Sequence, residues 1–242
     1  MIALQDAMVL AAGLGQRMRP LTETTPKPLL TLEGQSLLDH VLDRLAASGV
    51  RHVVVNAFHL APQIVAACAA RTDLAVEVVV EDTLLETGGG VRNALPRLGG
   101  APFAVINGDA FWLDGPTPAL TRMAGAFEPA TMDVLLLLVR TSLVEGDVGR
   151  GDFLLDPLGR VRRPKEREVA PYLFAGVQIL RPEAFEGTPE EGPWSLNRLY
   201  DRAIEAGRCF AVVHDGAWFH LSTPPDLERT ERRLSHGLVR LF

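Results

Sequence analysis

Two glycines and three cations lie close together near the start of the chain. Gly13 and Gly15 precede Arg17, Arg19 and Lys27, with Pro20, Pro26 and Pro28 set among them. Glycines free the backbone to turn and to bring its N–H groups against a ligand. Cations within about fifteen residues can reach whatever those groups hold. The prolines flanking Lys27 restrict φ and bias the preceding residues to extended conformations, which positions the ammonium at low entropic cost. Such a loop suits phosphate. It is neither a dinucleotide fingerprint, since Met18 stands at the third glycine, nor a P-loop, which requires G-K-S/T at the end of its glycine stretch.

Further along, Asp109 ends the apolar run Pro102-Phe-Ala-Val-Ile-Asn-Gly-Asp109. A strand-end Asp is either a turn former or an oxygen ligand suited to magnesium, which takes one or two carboxylates together with substrate phosphates. Gly88, Gly89 and Gly90 open a helical pattern and read as a flexible turn or as a bare surface for a flat base. Gly176 interrupts the strand pattern Tyr172–Leu180, where a missing side chain often marks close approach by ligand or backbone. Arg162, Arg163, Lys165 and Arg167 form a basic run that is either a solvated loop or a clamp for a phosphate or acid group.

These residues need a scaffold, and the hydropathy pattern supplies one. Met8–Ala12, His52–Asn56 and Ala75–Glu81 read as buried strands. Between them lie a helix capped by Ser36, with Leu37, Leu38, Val41, Leu42 and Leu45 on one face, and a second helix over 62–70. This βαβαβ alternation predicts an open, mostly parallel sheet with ligands at the carboxyl ends of its strands. Beyond residue 110 we expect a loop over 111–118, a helix over 119–127 and a buried strand over 134–139. A hairpin about 156–159, a strand over 172–180, a helix within 193–206 and a strand over 209–213 follow, with a last helix from Pro225.

The 242 residues, 47% hydrophobic, suffice for one large core. A net charge of −6 without a basic stripe argues against a nucleic-acid partner. With no apolar run of membrane-spanning length and no basic n-region in the first residues, a soluble cytoplasmic protein is expected. Cys68 and Cys209 read as buried thiols.

Leu10 to Pro28 resembles the L-A-A-G-x-G-x-R-x-x-P-x-T-x-x-x-P-K-P signature of the sugar-phosphate nucleotidyltransferases. The resemblance extends from Met8 to about Leu234. It implies one domain over 1–242, of nucleotide-diphospho-sugar transferase type: a single Rossmann-like, open, mostly parallel mixed sheet flanked by helices, without a C-terminal left-handed β-helix. A nucleotide-binding half (1–110) would be followed by a sugar-binding half (111–242). The implied partners are a nucleoside triphosphate and a sugar 1-phosphate, with Mg2+ as cofactor and Mn2+ open, in a monomer or small homo-oligomer. Ala11, Ala12, Gly13, Gly15, Gly88 and Gly89 would contact the nucleotide. Asn107, Gly151, Asp152 and Gly176 would contact the sugar, Arg17 and Lys27 the phosphates, and Asp109 the metal.

Within the family, L-E-T-G-G-G (85–90), V-I-N-G-D (105–109) and G-R-G-D-F (149–153) look most like the branch that uses UTP and a muramic sugar in cell-wall recycling. Guanylyl transfer to mannose 1-phosphate, thymidylyl or uridylyl transfer to glucose 1-phosphate, and a non-catalytic nucleotide-sugar sensor stay open. One departure stands out. Where the family reads W-x-D-x-G-T, this chain has Trp218-Phe-His-Leu-Ser-Thr223, so His220 replaces a metal-binding Asp. Imidazole suits manganese, zinc or iron better than magnesium, so His220 is a softer ligand, a phosphate donor or a bystander. Arg150 and the 162–167 run would hold the carboxylate that distinguishes muramic acid from glucosamine.

Overall fold

Asp6–Leu10 (β1) is buried through its middle and alternates between two cores, Ala7 and Val9 facing one and Met8 the other. A strand buried on both faces reads as a continuous apolar run, as this one does. The structure, a computed structural model, describes residues 2–146 and 149–237. Parallel to β1 run β2 (His52–Ala57), β3 (Ala75–Val80) and β4 (Phe103–Asn107), with helices α1 (Leu37–Ala47), α2 (Ala61–Ala69) and α3 (Glu86–Ala94) between them. The later chain contributes β5 (Phe111–Leu113), α4 (Ala119–Ala126), β6 (Val134–Arg140), β7 (Tyr172–Leu180), α5 (Asn197–Glu205), β8 (Cys209–Val213), β9 (Ala217–Phe219) and α6 (Pro224–Ser235).

Seven strands form one sheet in the order β8-β6-β7-β4-β1-β2-β3, and β7 alone is antiparallel to its neighbours. Helices α1, α2 and α4 cover one face through Leu38, Val41, Ile64, Cys68 and Met123, whereas α3 and α5 cover the other through Val91, Ala94 and Leu199. The open, mostly parallel sheet expected from the alternation is present, and it is the Rossmann-like mixed sheet that the resemblance implies. Among the described residues no helix is long and apolar enough to cross a membrane.

Local chemistry explains the ends. Ser36 Oγ accepts from Asp39 N at 3.0 Å and starts α1. Gly49, at φ 91°, ends it, and Val50 N returns to Leu45 O at 3.1 Å. One stretch departs from expectation. The span 111–118, read as loop, begins with β5, which pairs antiparallel with β9 and brings Trp112 opposite Trp218. Three residues are too short for periodicity to register; their pairing partner lies a hundred positions away.

Candidate active site

At the carboxyl end of the sheet two polar residues flank the end of β1: Leu10 is in register with Asn56 of β2 on one side and Asn107 of β4 on the other. Chain leaving β1 there becomes the glycine loop. Asn56 is buried, its Oδ1 accepts from Ala11 N at 2.9 Å, and its Nδ2 donates to Glu81 Oε1 at 2.7 Å. Glu81 Oε2 in turn accepts from Leu85 N at 3.0 Å. The start of the glycine loop and the turn before α3 are therefore tied through two side chains. Gly90 has no side chain because a Cβ there would stand 2.8 Å from Asn56 Nδ2.

Within the loop the two glycines differ in purpose. Gly15 has φ +59°, and a Cβ would stand 2.8 Å from Thr22 Cγ2, so the fold itself requires glycine. Thr22 Oγ1 secures the turn by donating to Gly15 O at 2.8 Å. At Gly13 a Cβ would meet nothing within 4 Å. The space in front of it belongs to the cleft, which is where backbone approach to a ligand needs room.

Ala11, Ala12, Gly13, Gly15, Arg17, Lys27, Asn107 and Asp109 line a cavity of about 730 Å³, together with Asn56, Leu84, Glu86, Thr87 and Ser195. A neighbouring cavity of about 420 Å³ is lined by Asp152, Gly176 and His220 and again by Arg17, Lys27, Asn107 and Asp109. The cations and the carboxylate thus stand where the two cavities meet. Lys27 Nζ donates to Asp109 Oδ2 at 2.5 Å. Burial, helped by the Arg17 and Lys27 charges and opposed by Asp226 and Asp109, holds His220 below the ordinary imidazole value. It is therefore neutral at pH 7.

Gly176 lies in a β-bulge, where the pairing of β7 with β6 shifts between Phe174 and Gln178. At φ +80° its Cα faces Asn107, whose Nδ2 would be 3.1 Å from a Cβ. Asp152 is held by Phe174 N, which donates to its Oδ2 at 2.9 Å.

Three expected site residues are placed elsewhere. Gly88 and Gly89 are buried and border neither cavity; both N–H groups donate to Trp194 O, at 2.8 and 3.1 Å. A Cβ on Gly88 would be 2.2 Å from Trp194 Cε3, so internal packing requires glycine there. The cavity wall at this turn is Leu84, Glu86 and Thr87. Gly151, at φ +73°, lies against Ala170 O, which a Cβ would meet at 2.1 Å, and it borders neither cavity. Two residues escaped the sequence reading, Asn56 and Glu81. Each is a polar residue at the end of an apolar strand, and that was their available signal.

As a metal centre the donor set is sparse. Among the described residues no three His, Cys, Asp or Glu side chains cluster around a common point. Asp109 nevertheless offers a carboxylate to the cavity with Oδ1 unpartnered among the described residues, which fits an ion that draws its remaining oxygens from phosphate and water.

A model of the MobA-like NTP transferase domain matches residues 7–142. The chain is 41% identical over 236 residues to N-acetylmuramate alpha-1-phosphate uridylyltransferase of Caulobacter vibrioides, covering 96% of this chain and 97% of that one. It is 37% identical over 220 residues to the protein of the same name from Neisseria meningitidis serogroup B, covering 90% of this chain and 93% of that one. Among solved structures, UDP-glucose pyrophosphorylase complexed with UDP-glucose superposes with a TM-score of 0.81 at 15% identity, over 97% of this chain and 99% of that one, a likeness of fold. The signature loop, the shared sheet and these matches agree: the chain belongs to the MobA-like NTP transferase domain family and, within it, to the sugar-phosphate nucleotidyltransferases.

Proposed function

We propose that the protein joins UTP to N-acetylmuramate 1-phosphate and releases pyrophosphate, forming UDP-N-acetylmuramate. The choice of sugar and base follows the two relatives whose names specify that reaction. One structural observation carries the chemistry: Arg17, Lys27 and Asp109 border both cavities, so a triphosphate in the larger one and a sugar phosphate in the smaller one would meet at those side chains.

An oxygen of the sugar 1-phosphate attacks the α-phosphorus in line, a new P–O bond forms, and the bond to the β-phosphate oxygen breaks. The nucleophile is already anionic and requires no general base. Catalysis is then positioning and charge neutralisation. The loop around Gly13 provides close backbone approach to the nucleotide. Arg17 is assigned to the triphosphate and Lys27 to the phosphate undergoing transfer, where charge redistributes in the transition state. Asp109 would hold magnesium, which supplies neutralisation of the triphosphate charge. His220, neutral and on the cavity wall, is assigned to the phosphates as a hydrogen-bond donor.

The test measures pyrophosphate release with magnesium, crossing UTP, dTTP, GTP and CTP against the 1-phosphates of N-acetylmuramate, N-acetylglucosamine, glucose and mannose. Turnover confined to UTP and the muramic sugar is expected. Turnover with another pair keeps the mechanism and replaces the substrates, and silence across the panel, repeated with manganese, overturns the reading.

A further inference from the structure

The basic run over 162–167 separates into side chains with different surroundings. Arg162 turns outward and is engaged by both oxygens of Glu168, at 2.7 and 2.7 Å, while Lys165 and Arg167 are exposed. Arg163 points inward. It lines a third cavity of about 250 Å³ with Thr87, Asn107, Asp152, Phe174 and Tyr200. This cavity shares Asn107 with both of the others, so it opens from the same cleft.

The guanidinium is held rigidly. It lies over the Phe153 ring, 4.5 Å from Cζ to the centroid, Nε donates to Asp201 Oδ1 at 2.8 Å, and Nη2 donates to Asn197 Oδ1 at 2.6 Å. Nη1 has no hydrogen-bond partner among the described residues. One edge of the planar fork is therefore anchored to α5 and the other remains available. A fork whose geometry is set in advance loses little entropy when it accepts a carboxylate.

Arg163 is the one cation lining this cavity among the described residues, and Asp152 is the one carboxylate. Because Asp152 Oδ2 already accepts from Phe174 N, its other oxygen can accept from a sugar hydroxyl or amide and would repel an acid group turned towards it. The two together favour a sugar that carries hydroxyl or amide hydrogens on one side and an anion on the other. N-acetylmuramate fits that description, since it is N-acetylglucosamine with a lactyl ether ending in a carboxylate. We propose that Arg163 is the specificity-determining residue that recognises this lactyl carboxylate. The inference rests on the proposed sugar substrate and assigns the discrimination to one side chain of the run.

The experiment compares kcat/KM for N-acetylmuramate 1-phosphate and N-acetylglucosamine 1-phosphate, each with UTP, in the wild type and in Arg163→Gln. A charge-assisted hydrogen bond in a partly desolvated site corresponds to about a 10- to 100-fold preference, and the acid-to-neutral ratio is expected to fall by that factor in the variant, with Arg163→Lys in between. A second comparison needs no variant: the wild type is given the muramic sugar with its carboxylate converted to the primary amide. A loss of the same size in the wild type, absent from Arg163→Gln, supports the assignment. An unchanged ratio in Arg163→Gln, or a wild type indifferent to acid and amide, overturns it. Should Arg163→Gln fail to fold, Arg163→Lys takes its place, and an unchanged acid-to-neutral ratio there overturns the assignment. A wild type that turns over other sugars and never the muramic one instead overturns the proposed substrate, an outcome visible before any variant is made.

Discussion

Lys27 Nζ lies 2.5 Å from Asp109 Oδ2, although 82 positions separate the two residues in sequence. The lysine comes from the proline-flanked turn after β1 and the aspartate from the end of β4, and both face the junction of the two cavities. Each charge is the partner of the other.

Because Lys27 is assigned to charge that changes during transfer, Lys27→Ala should lower kcat by about 10²- to 10³-fold while raising KM for the nucleotide much less. Steady-state pyrophosphate release measures both constants, and an intact kcat would remove Lys27 from this role. Asp109→Asn keeps the shape and loses the charge. It should raise the magnesium concentration needed for half-maximal activity.

The Asn56–Glu81 bridge leads to a different prediction. Asn56→Ala leaves Ala11 N and Glu81 Oε1 without partners in a buried setting, which costs about 1–3 kcal/mol. Urea unfolding reports that loss. Glu81→Gln still accepts from Asn56 but presents NH2 towards Leu85 N, so it should raise KM for the nucleotide by displacing the turn that carries Leu84, Glu86 and Thr87. Unchanged nucleotide affinity in a folded Glu81→Gln protein would limit the bridge to stability.

Two glycine substitutions should behave oppositely. Gly88→Ala forces a methyl into the Trp194 ring, with 2.2 Å available, and overpacking of this kind costs about 1–3 kcal/mol. Gly13→Ala meets no protein atom within 4 Å, so unfolding should shift by no more than about 0.5 kcal/mol, whereas nucleotide affinity should fall. Equal effects on stability would show that Gly13 has a packing role.

His214 supplies a pH dependence. Burial, only partly offset by hydrogen bonds with Ala217 and Leu113 carbonyls, holds its pKa below the ordinary imidazole value of about 6.5. As pH falls below 6.5 the unfolded chain takes up a proton that the folded chain refuses, so stability declines until the lower folded pKa is reached. Tm measured between pH 7.5 and pH 5 should fall, and His214→Asn should flatten the slope over that window. Parallel curves would assign the dependence to other groups.

Much of the site was legible because its chemistry is local in sequence. Gly13, Gly15, Arg17 and Lys27 fall within one loop, and Asp109 follows an apolar strand, so residue type and spacing picked them out as candidates. Gly88 and Gly89 show the limit. A bare backbone reads the same whether a ligand or Trp194 lies against it, and Trp194 is more than a hundred positions away. Gly151 is a second case: Ala170 O lies against it, a neighbour that spacing does not reveal.

By itself the sequence determined the alternating strands and helices, the glycine loop and the family, because hydrophobic periodicity and short motifs act over a few residues. The tertiary structure alone decided which strands are neighbours, and so which residues distant in sequence converge: Asn56 against Ala11, Asn107 against Gly176, Lys27 against Asp109. It also decided which member of the basic run faces the cleft. Arg162 and Arg163 are adjacent and chemically identical, but Arg162 ends a two-residue strand and Arg163 lies just beyond it, leaving one with Glu168 in solvent and the other over Phe153 in the cavity wall.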